Sequence, residues 1–438
     1  MQIRPARSIK GAVRLPGDKS ISHRAALIAA LAKGSSHISN FSTSRDCAST
    51  LACLVQLGVS IEQEGNNIRV EGAGNQKLRA PTGPLDCGNS ASTMRMLAGM
   101  LVGQDFDSIL TGDKSLRSRP MKRIIEPLEM MGAQILSEDG NPPLIIRANN
   151  SLEAIRYNLP VASAQVKSGV LFAGLHARGR TEVIETLGIT RDHTERMLNW
   201  FGAPVETRAS TNGLRTIAIH GPATFDGSNI EIPGDISSAA FLVAAAALLP
   251  GSELEINGVG LNPTRTQFLL TFRPLGFEVD IAPLSEKCNE PVGTVRVSGR
   301  PNPEPAQHGK SNLLRRASIS QLIDELPLLA VVGTQVPGGI EIRDASELRF
   351  KETDRISATV KNLRAMGAEV LEFEDGLAVA GMAQLRGAKL DANADHRIAM
   401  AFAIAALLAD GDSEITGAES VEVSFPEFFD LLESVVQR

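Results

Sequence analysis

One alternation of apolar and polar positions recurs six times along the chain. "AALIAALAKGSSHI", "MRMLAGMLVGQDFDSIL", "VLFAGLHARGRTEVI", "AAAALLPGSELEI", "LPLLAVVGTQVPGGIEI" and "AMAFAIAALLADGDSEI" each join an Ala-rich run to a short β-type run through a glycine, at 34, 103, 179, 251, 339 and 411. A helix that is apolar on every side belongs inside a core, so each phrase predicts a central helix feeding a strand. Between the copies stand "LVQLGVSI", "LEMMGAQI", "LNWFGAPV", "FRPLGFEV" and "LRAMGAEV". Each reads as an amphipathic helix stopped by a C-cap glycine, followed by period-2 residues that form a hairpin.

The sixth copy has no such hairpin, because the chain stops after the helix "FPEFFDLLESVV", while "SIKGAVRLPG" near the N-terminus is a strand with no helix before it. The N-terminal strands are therefore expected to close the last unit. A chain of 438 residues exceeds one ordinary core. Six units divide into two lobes of three, 18–234 and 1–17 plus 235–438. The Pro/Gly-rich stretch Gly299 to Gly309 reads as an exposed loop.

Composition narrows the classes. With 43% hydrophobic residues but one Trp and one Tyr, the cores must be built from Ala, Leu, Ile, Val and Met, which offers little for an aromatic-lined pocket. A net charge of −6 argues against a general nucleic-acid binder. Cys47, Cys53, Cys87 and Cys288 form no C-x-x-C pair and read as reduced and mostly buried, with no metal site. No apolar signal core opens the chain, and its apolar runs fall short of the roughly 20 residues of a membrane span. The expectation is a soluble, cytoplasmic protein.

Polarity at the starts of the buried helices carries the chemistry: "GDKSISHR", "GNSASTMR", "SAQVKSG", "GDISSAA", "QLIDELP" and "DHRIAM". A buried helix start leaves unpaired N–H groups and a partial positive charge. Serine and aspartate caps answer that need, and capping suffices for "GDISS". It does not explain Lys19, Arg24, Arg95, Lys167 and Arg397, since a cation there opposes the dipole; an anionic ligand does. Further cations follow the short strands: Arg117, Arg119, Lys122 and Arg123 in "LRSRPMKR", Arg191 in "ITRDHTE", Arg265 in "NPTR", and Arg349, Lys351 and Arg355 in "RFKETDR". Their recurrence at equivalent places predicts an anion-binding cleft shared by the lobes. A P-loop reading of "GDKS" fails because Asp18 separates Gly17 from Lys19.

Through "LPGDKSISHR", "GNSAST", Arg119–Pro120, "SAQVK", "KETDR" and "DHR", in this order and over essentially its whole length, the chain resembles the 3-phosphoshikimate 1-carboxyvinyltransferase family. The resemblance implies an α/β fold, a two-lobed inside-out α/β barrel with three βαβαββ units per lobe. It implies transfer of the enolpyruvyl group of phosphoenolpyruvate to the 5-hydroxyl of shikimate 3-phosphate with release of phosphate, without metal or organic cofactor. The substrates are two multiply charged anions, and one pair of unit charges about 5 Å apart repels by roughly 3 kcal/mol at an effective dielectric near 20. A ring of cations and helix starts answers that repulsion.

Carried over by motif, Lys19, Ser20, Arg24, Ser163, Ala164, Gln165, Arg191, Asp324 and Lys351 bind shikimate 3-phosphate. Ser20 and Arg24 take the carboxylate side; Ser163, Gln165 and Arg191 take the phosphate and ring. Phosphoenolpyruvate falls to Lys19, Asn89, Ala91, Arg119, Gln165, Lys351, Glu352, Arg355 and Arg397. Addition then elimination needs a base for the hydroxyl proton, which Asp324 matches, and an acid for the methylene carbon, which Glu352 matches. Lys19 and Lys351 stabilise the charge that develops.

Departures from the family's pattern are informative. Glyphosate-sensitive members have Gly where this chain has Ala91, and Lys where it has Val423, so that phosphoenolpyruvate contact is not carried over; "RDHTE", "GDKS", "SAQVK" and "NPTR" resemble the insensitive class. The sister transferase acting on UDP-N-acetylglucosamine is the nearest rival, but Leu110–Pro120 lacks its usual cysteine and no "GAKNA"-like start is present. A catalytically silent phospholigand scaffold is the rival of another class; it conflicts with the presence of Asp324, Glu352 and Lys19. A monomer whose lobes close on substrate is expected, with no nucleic-acid or membrane partner.

Overall fold

The computed structural model describes residues 1–74, 78–210, 213–299 and 312–438. The stretch read as an exposed loop lies outside the described residues apart from Gly299. The chain forms two compact units, Gly17–Ile232 with Glu286–Glu290, and Met1–Pro16 with Pro233–Ser285 and Pro291–Arg438. The breaks fall one or two residues from those expected, and 286–290 was not expected in the first unit. The cause is local: Lys287 pairs with Glu231, Glu231 N donates to Cys288 Sγ at 3.4 Å, and His193 Nδ1 lies 2.7 Å from Glu290.

Each unit is built around three helices that are buried along almost their whole length. Those of the first are Lys19–Leu31, Ala91–Leu101 and Ala164–Gly174. Those of the second are Ile236–Leu248, Leu326–Gly333 and His396–Leu407. Small side chains let these helices approach closely. A Cβ on Gly99 would lie 2.0 Å from the Gly169 carbonyl oxygen, so two helices meet backbone to backbone at that point. Within them each fully buried Leu or Ile, such as Leu27, Ile28, Leu329 and Ile404, contributes about 1.5–3 kcal/mol.

Amphipathic helices and small sheets cover this core. In the first unit the strand leaving each buried helix, 33–39, 108–111 or 179–185, pairs in parallel with a short strand and antiparallel with the second arm of a hairpin, whose first arm is the sheet edge. The glycines that end the amphipathic helices, Gly58, Gly132, Gly202, Gly276 and Gly367, all have φ between +74° and +93°, backbone that other residues resist. Gly103 is retained for a different reason. Its φ is not positive, but a Cβ there would strike the buried ring of His176 at 2.4 Å.

The N-terminal strands divide their work. Gln2–Ile3 pairs with Ser413–Thr416 and so completes the last unit's sheet. Ser8–Arg14 instead runs parallel to Glu253–Gly260, in the sheet of the fourth unit, with Val436–Gln437 on its other edge. The expectation that both strands close the last unit is therefore corrected. Alternation in "SIKGAVR" specified a strand but not its partner, which long-range packing decides.

All four cysteines are free and buried. Burial pushes the Cys47 thiol up to about 12, so it is inert as a nucleophile at neutral pH. Among the described residues no helix is long and apolar enough to cross a membrane.

Candidate active site

The caps foreseen at the buried helix starts are present. Asp18, Ser90, Ser163, Asp235 and Asp395 each accept an N–H from the first turn of the helix that follows. Capping thus holds the polar phrases in place, and the cations beside them have separate partners.

In the first unit, Lys19 Nζ lies 2.9 Å from Asp46 Oδ2, on the first turn of helix Arg45–Gln56. One turn on, Arg24 donates through Nε to Thr194 Oγ1 at 2.7 Å, through Nη1 to Ser20 O at 2.8 Å and through Nη2 to Ser168 Oγ at 2.9 Å. These bonds use three of its five N–H donors. Burial, with the nearby Arg191 charge second, lowers the guanidinium to about 10, which still leaves it charged at neutral pH. Arg24 and Arg191 are therefore near enough for their charges to oppose each other, and the carboxylates of Glu195, Asp18 and Glu290 offset part of that effect. His23 is sealed between these groups. Its Nδ1 meets Thr50 Oγ1 at 2.7 Å, and Thr50 meets Thr93 Oγ1 at 2.7 Å. Burial, then Lys19 and Arg24, hold this imidazole well below its ordinary value, and it is neutral.

Asn89 joins two further candidates: its Oδ1 accepts from Arg119 Nη2 at 2.9 Å and its Nδ2 donates to Asp113 Oδ2 at 2.8 Å. Arg119 also reaches Ser115 Oγ at 3.1 Å. Of the cations in "LRSRPMKR" only Arg119 is buried; Arg117 and Lys122 are exposed and Arg123 is intermediate. Gln165 accepts from Arg95 and donates to Ser92 Oγ at 2.7 Å, next to Ala91, the first residue of its helix and 8% exposed. Ala164 follows the Ser163 cap at the start of the helix that carries Gln165.

One cation was misread. Lys167 is fully buried, with Nζ 2.9 Å from Glu185 Oε1 and 2.7 Å from Glu195 Oε1. Two carboxylates satisfy it, so it holds the fold and is not a ligand group. Its sequence position beside a helix start gave no sign of glutamates that arrive from 18 and 28 residues away.

In the second unit Arg355 is the centre, with 2% of its side chain exposed. Nε donates to Asp395 Oδ2 at 2.8 Å and Nη2 to Glu352 Oε2 at 2.6 Å, while Nη1 lies 3.6 Å from Asp324 Oδ1. Burial alone would lower this guanidinium, but the charges of Asp395, Glu352 and Asp324 more than offset it and raise it. Burial raises Asp395, and Arg355 opposes that rise. Asp324 and Glu352, the two groups named for proton transfer, thus touch one cation. Arg397 Nη1 donates to Ser237 Oγ at 2.7 Å and lies 4.0 Å from Glu325 Oε1. Lys351 sits 3.5 Å from Glu347. Arg349 is corrected to a structural role: it binds Asp354 at 2.6 Å, Glu372 at 3.1 Å and the Phe373 carbonyl at 2.7 Å.

Asp46 escaped the sequence reading, although "SRD" places it beside an arginine, and Asp395, expected only among the polar residues of a helix start, also pairs with Arg355. Among the described residues no group of three His, Cys, Asp or Glu side chains has the geometry to hold a metal ion.

Residues 3–432 match the family described as EPSP synthase (3-phosphoshikimate 1-carboxyvinyltransferase). The 3-phosphoshikimate 1-carboxyvinyltransferase of Koribacter versatilis (strain Ellin345) is 50% identical over 440 residues, covering 100% of this chain and 99% of its own. That of Desulforamulus reducens is 46% identical over 437 residues, covering 99% of each. Among solved structures, EPSP synthase from Acinetobacter baumannii superposes with a TM-score of 0.85 at 38% identity, covering 99% of this chain and 98% of that one. The enolpyruvyl transferase NikO from Streptomyces tendae, at 17% identity and a TM-score of 0.79 over 99% of this chain and 96% of that one, shares the fold.

Proposed function

The chain belongs to the EPSP synthase family, and on that premise we propose how its own residues carry the family's reaction. It transfers the enolpyruvyl group of phosphoenolpyruvate to the 5-hydroxyl of shikimate 3-phosphate and releases phosphate. The observation that carries the assignment of roles is the Arg355 cluster, in which one buried cation touches both carboxyl groups the chemistry requires.

Asp324 takes the proton of the 5-hydroxyl as that oxygen attacks C2 of phosphoenolpyruvate. Glu352 delivers a proton to C3, and a tetrahedral intermediate carrying a methyl group results. Loss of a proton from that methyl and departure of phosphate from C2 restore the double bond, leaving the enolpyruvyl ether. Lys19 and Lys351 stabilise the charge on the departing phosphate and the intermediate. Arg119, Arg355 and Arg397 hold phosphoenolpyruvate beside Asn89, Ala91 and Gln165. Ser20, Arg24, Ser163, Ala164, Gln165 and Arg191 hold shikimate 3-phosphate.

Because C3 is transiently a methyl group, turnover in D2O is expected to place deuterium in the vinyl group of the product, read by proton NMR. A vinyl group free of deuterium, or no enol ether at all, overturns this mechanism.

The inhibitor response follows from Ala91. Its methyl, buried at the first helical position, crowds a ligand longer than phosphoenolpyruvate and makes the enzyme insensitive to glyphosate. Relief of an overpacking clash of about 1–3 kcal/mol corresponds to roughly 5- to 150-fold tighter inhibition in Ala91→Gly. Low-micromolar inhibition of the wild type that is unchanged in Ala91→Gly contradicts it.

A further inference from the structure

Arg265 differs from the other arginines of the second unit. It is 5% exposed, and its Nε and Nη1 are sealed from solvent with no hydrogen-bond acceptor. Among the described residues no side-chain hydrogen bond or ion pair engages it, whereas Arg355 has three carboxylates and Arg397 has Ser237 and Glu325. A buried cation without a counter-charge is costly and persists where something compensates it.

The surroundings of Arg265 say what that partner is. The loop holding it is a compact turn in which Asn262 Oδ1 accepts from Thr264 N at 2.9 Å and Arg265 N donates to Asn262 O at 2.8 Å. It leaves strand Glu253–Gly260, whose last residue donates to Gly234 O at 2.9 Å, immediately before the Asp235 cap of helix Ile236–Leu248. The second residue of that helix, Ser237, is the one Arg397 holds at 2.7 Å. Two arginines thus belong to segments tied to one helix start, whose dipole adds positive potential. The repeat gives an independent pointer. Arg265 stands two residues before helix Gln267–Phe272, as Arg191 stands two residues before helix His193–Trp200.

We propose that Arg265 is an oxyanion-binding residue of the second unit, its Nη2 contacting a phosphate or carboxylate oxygen of one of the two substrates. This rests on the reading of the chain as an enolpyruvyl transferase of shikimate 3-phosphate, which assigns ligands to Arg191, Arg355 and Arg397 and none to Arg265. Bound anion supplies the counter-charge that no described residue provides. The residue is therefore a cost to the empty protein and a gain to the loaded one.

The test compares wild type, Arg265→Met and Arg265→Lys. The readouts are ligand-free melting temperature and the dissociation constants of shikimate 3-phosphate alone, of phosphoenolpyruvate in its presence, and of inorganic phosphate. Loss of one charged hydrogen bond weakens binding about 10- to 100-fold. Arg265→Met is expected to show that loss for one substrate with no fall in ligand-free melting temperature. Which substrate weakens identifies the source of the oxyanion, and Arg265→Lys recovers part of the loss. Affinities within about twofold of wild type, or a lowered melting temperature with affinities intact, overturn the proposal. Should Arg265→Met not accumulate as folded protein, Arg265→Lys decides, and unchanged affinities again overturn it. Wild-type turnover is followed in parallel. A wild type that is inactive yet loses phosphate binding on Arg265→Met keeps the anion site and removes the parent reading; equal phosphate binding removes both.

Discussion

Replacing Asp324 with Asn is expected to lower kcat by about 100- to 10,000-fold, the range a positioned general base contributes, while the KM for shikimate 3-phosphate changes far less. The Asp324 side chain is 19% exposed and its Oδ1 lies 3.6 Å from Arg355 Nη1, and the helix that follows, Leu326–Gly333, has no side-chain cap. Arg355 keeps its closer bonds to Asp395 and Glu352 in the variant. Asparagine preserves shape and hydrogen bonding but takes no proton, so melting temperature should hold while turnover falls. Steady-state kinetics beside a thermal melt check this. A kcat within tenfold of wild type removes Asp324 from the role of base.

Lys167→Met should do the reverse, costing about 3–5 kcal/mol of stability, the penalty for removing one partner of a buried ion pair. Glu185 and Glu195, both buried, would face each other without their shared cation. Glu185 also accepts from Thr190 N at 3.0 Å, and Thr194, next to Glu195, accepts from Arg24 Nε at 2.7 Å. Disorder here therefore reaches Arg24, and the KM for shikimate 3-phosphate should rise in whatever fraction folds. Arg215, 3.8 Å from Glu195, offsets only part of the lost charge. Urea unfolding at pH 7.5 reads the loss; an unchanged midpoint contradicts the structural role.

Lys167 and Arg355 show which parts of the site were legible in the sequence. Periodicity exposed the six core helices, the C-cap glycines and the polar caps, because these are local consequences of helix geometry. It also marked where cations gather. It did not say which cations are already neutralised, since that depends largely on carboxylates brought from other segments: Glu185 and Glu195 for Lys167, Glu372 for Arg349, Asp395 for Arg355. Arg265 is the converse, a cation in a motif like the others that finds no carboxylate among the described residues. Strand partnership was equally hidden. "SIKGAVR" alternates as a strand should, but its pairing with 253–260 was chosen by packing about 240 residues away.

The reaction itself is tested most directly by phosphate release from phosphoenolpyruvate with purified protein, offered shikimate 3-phosphate in one series and UDP-N-acetylglucosamine in the other, with Asp324→Ala as control. Release with shikimate 3-phosphate only, lost in the control, is the result the site predicts. Release with the sugar nucleotide only, or with neither acceptor, contradicts it.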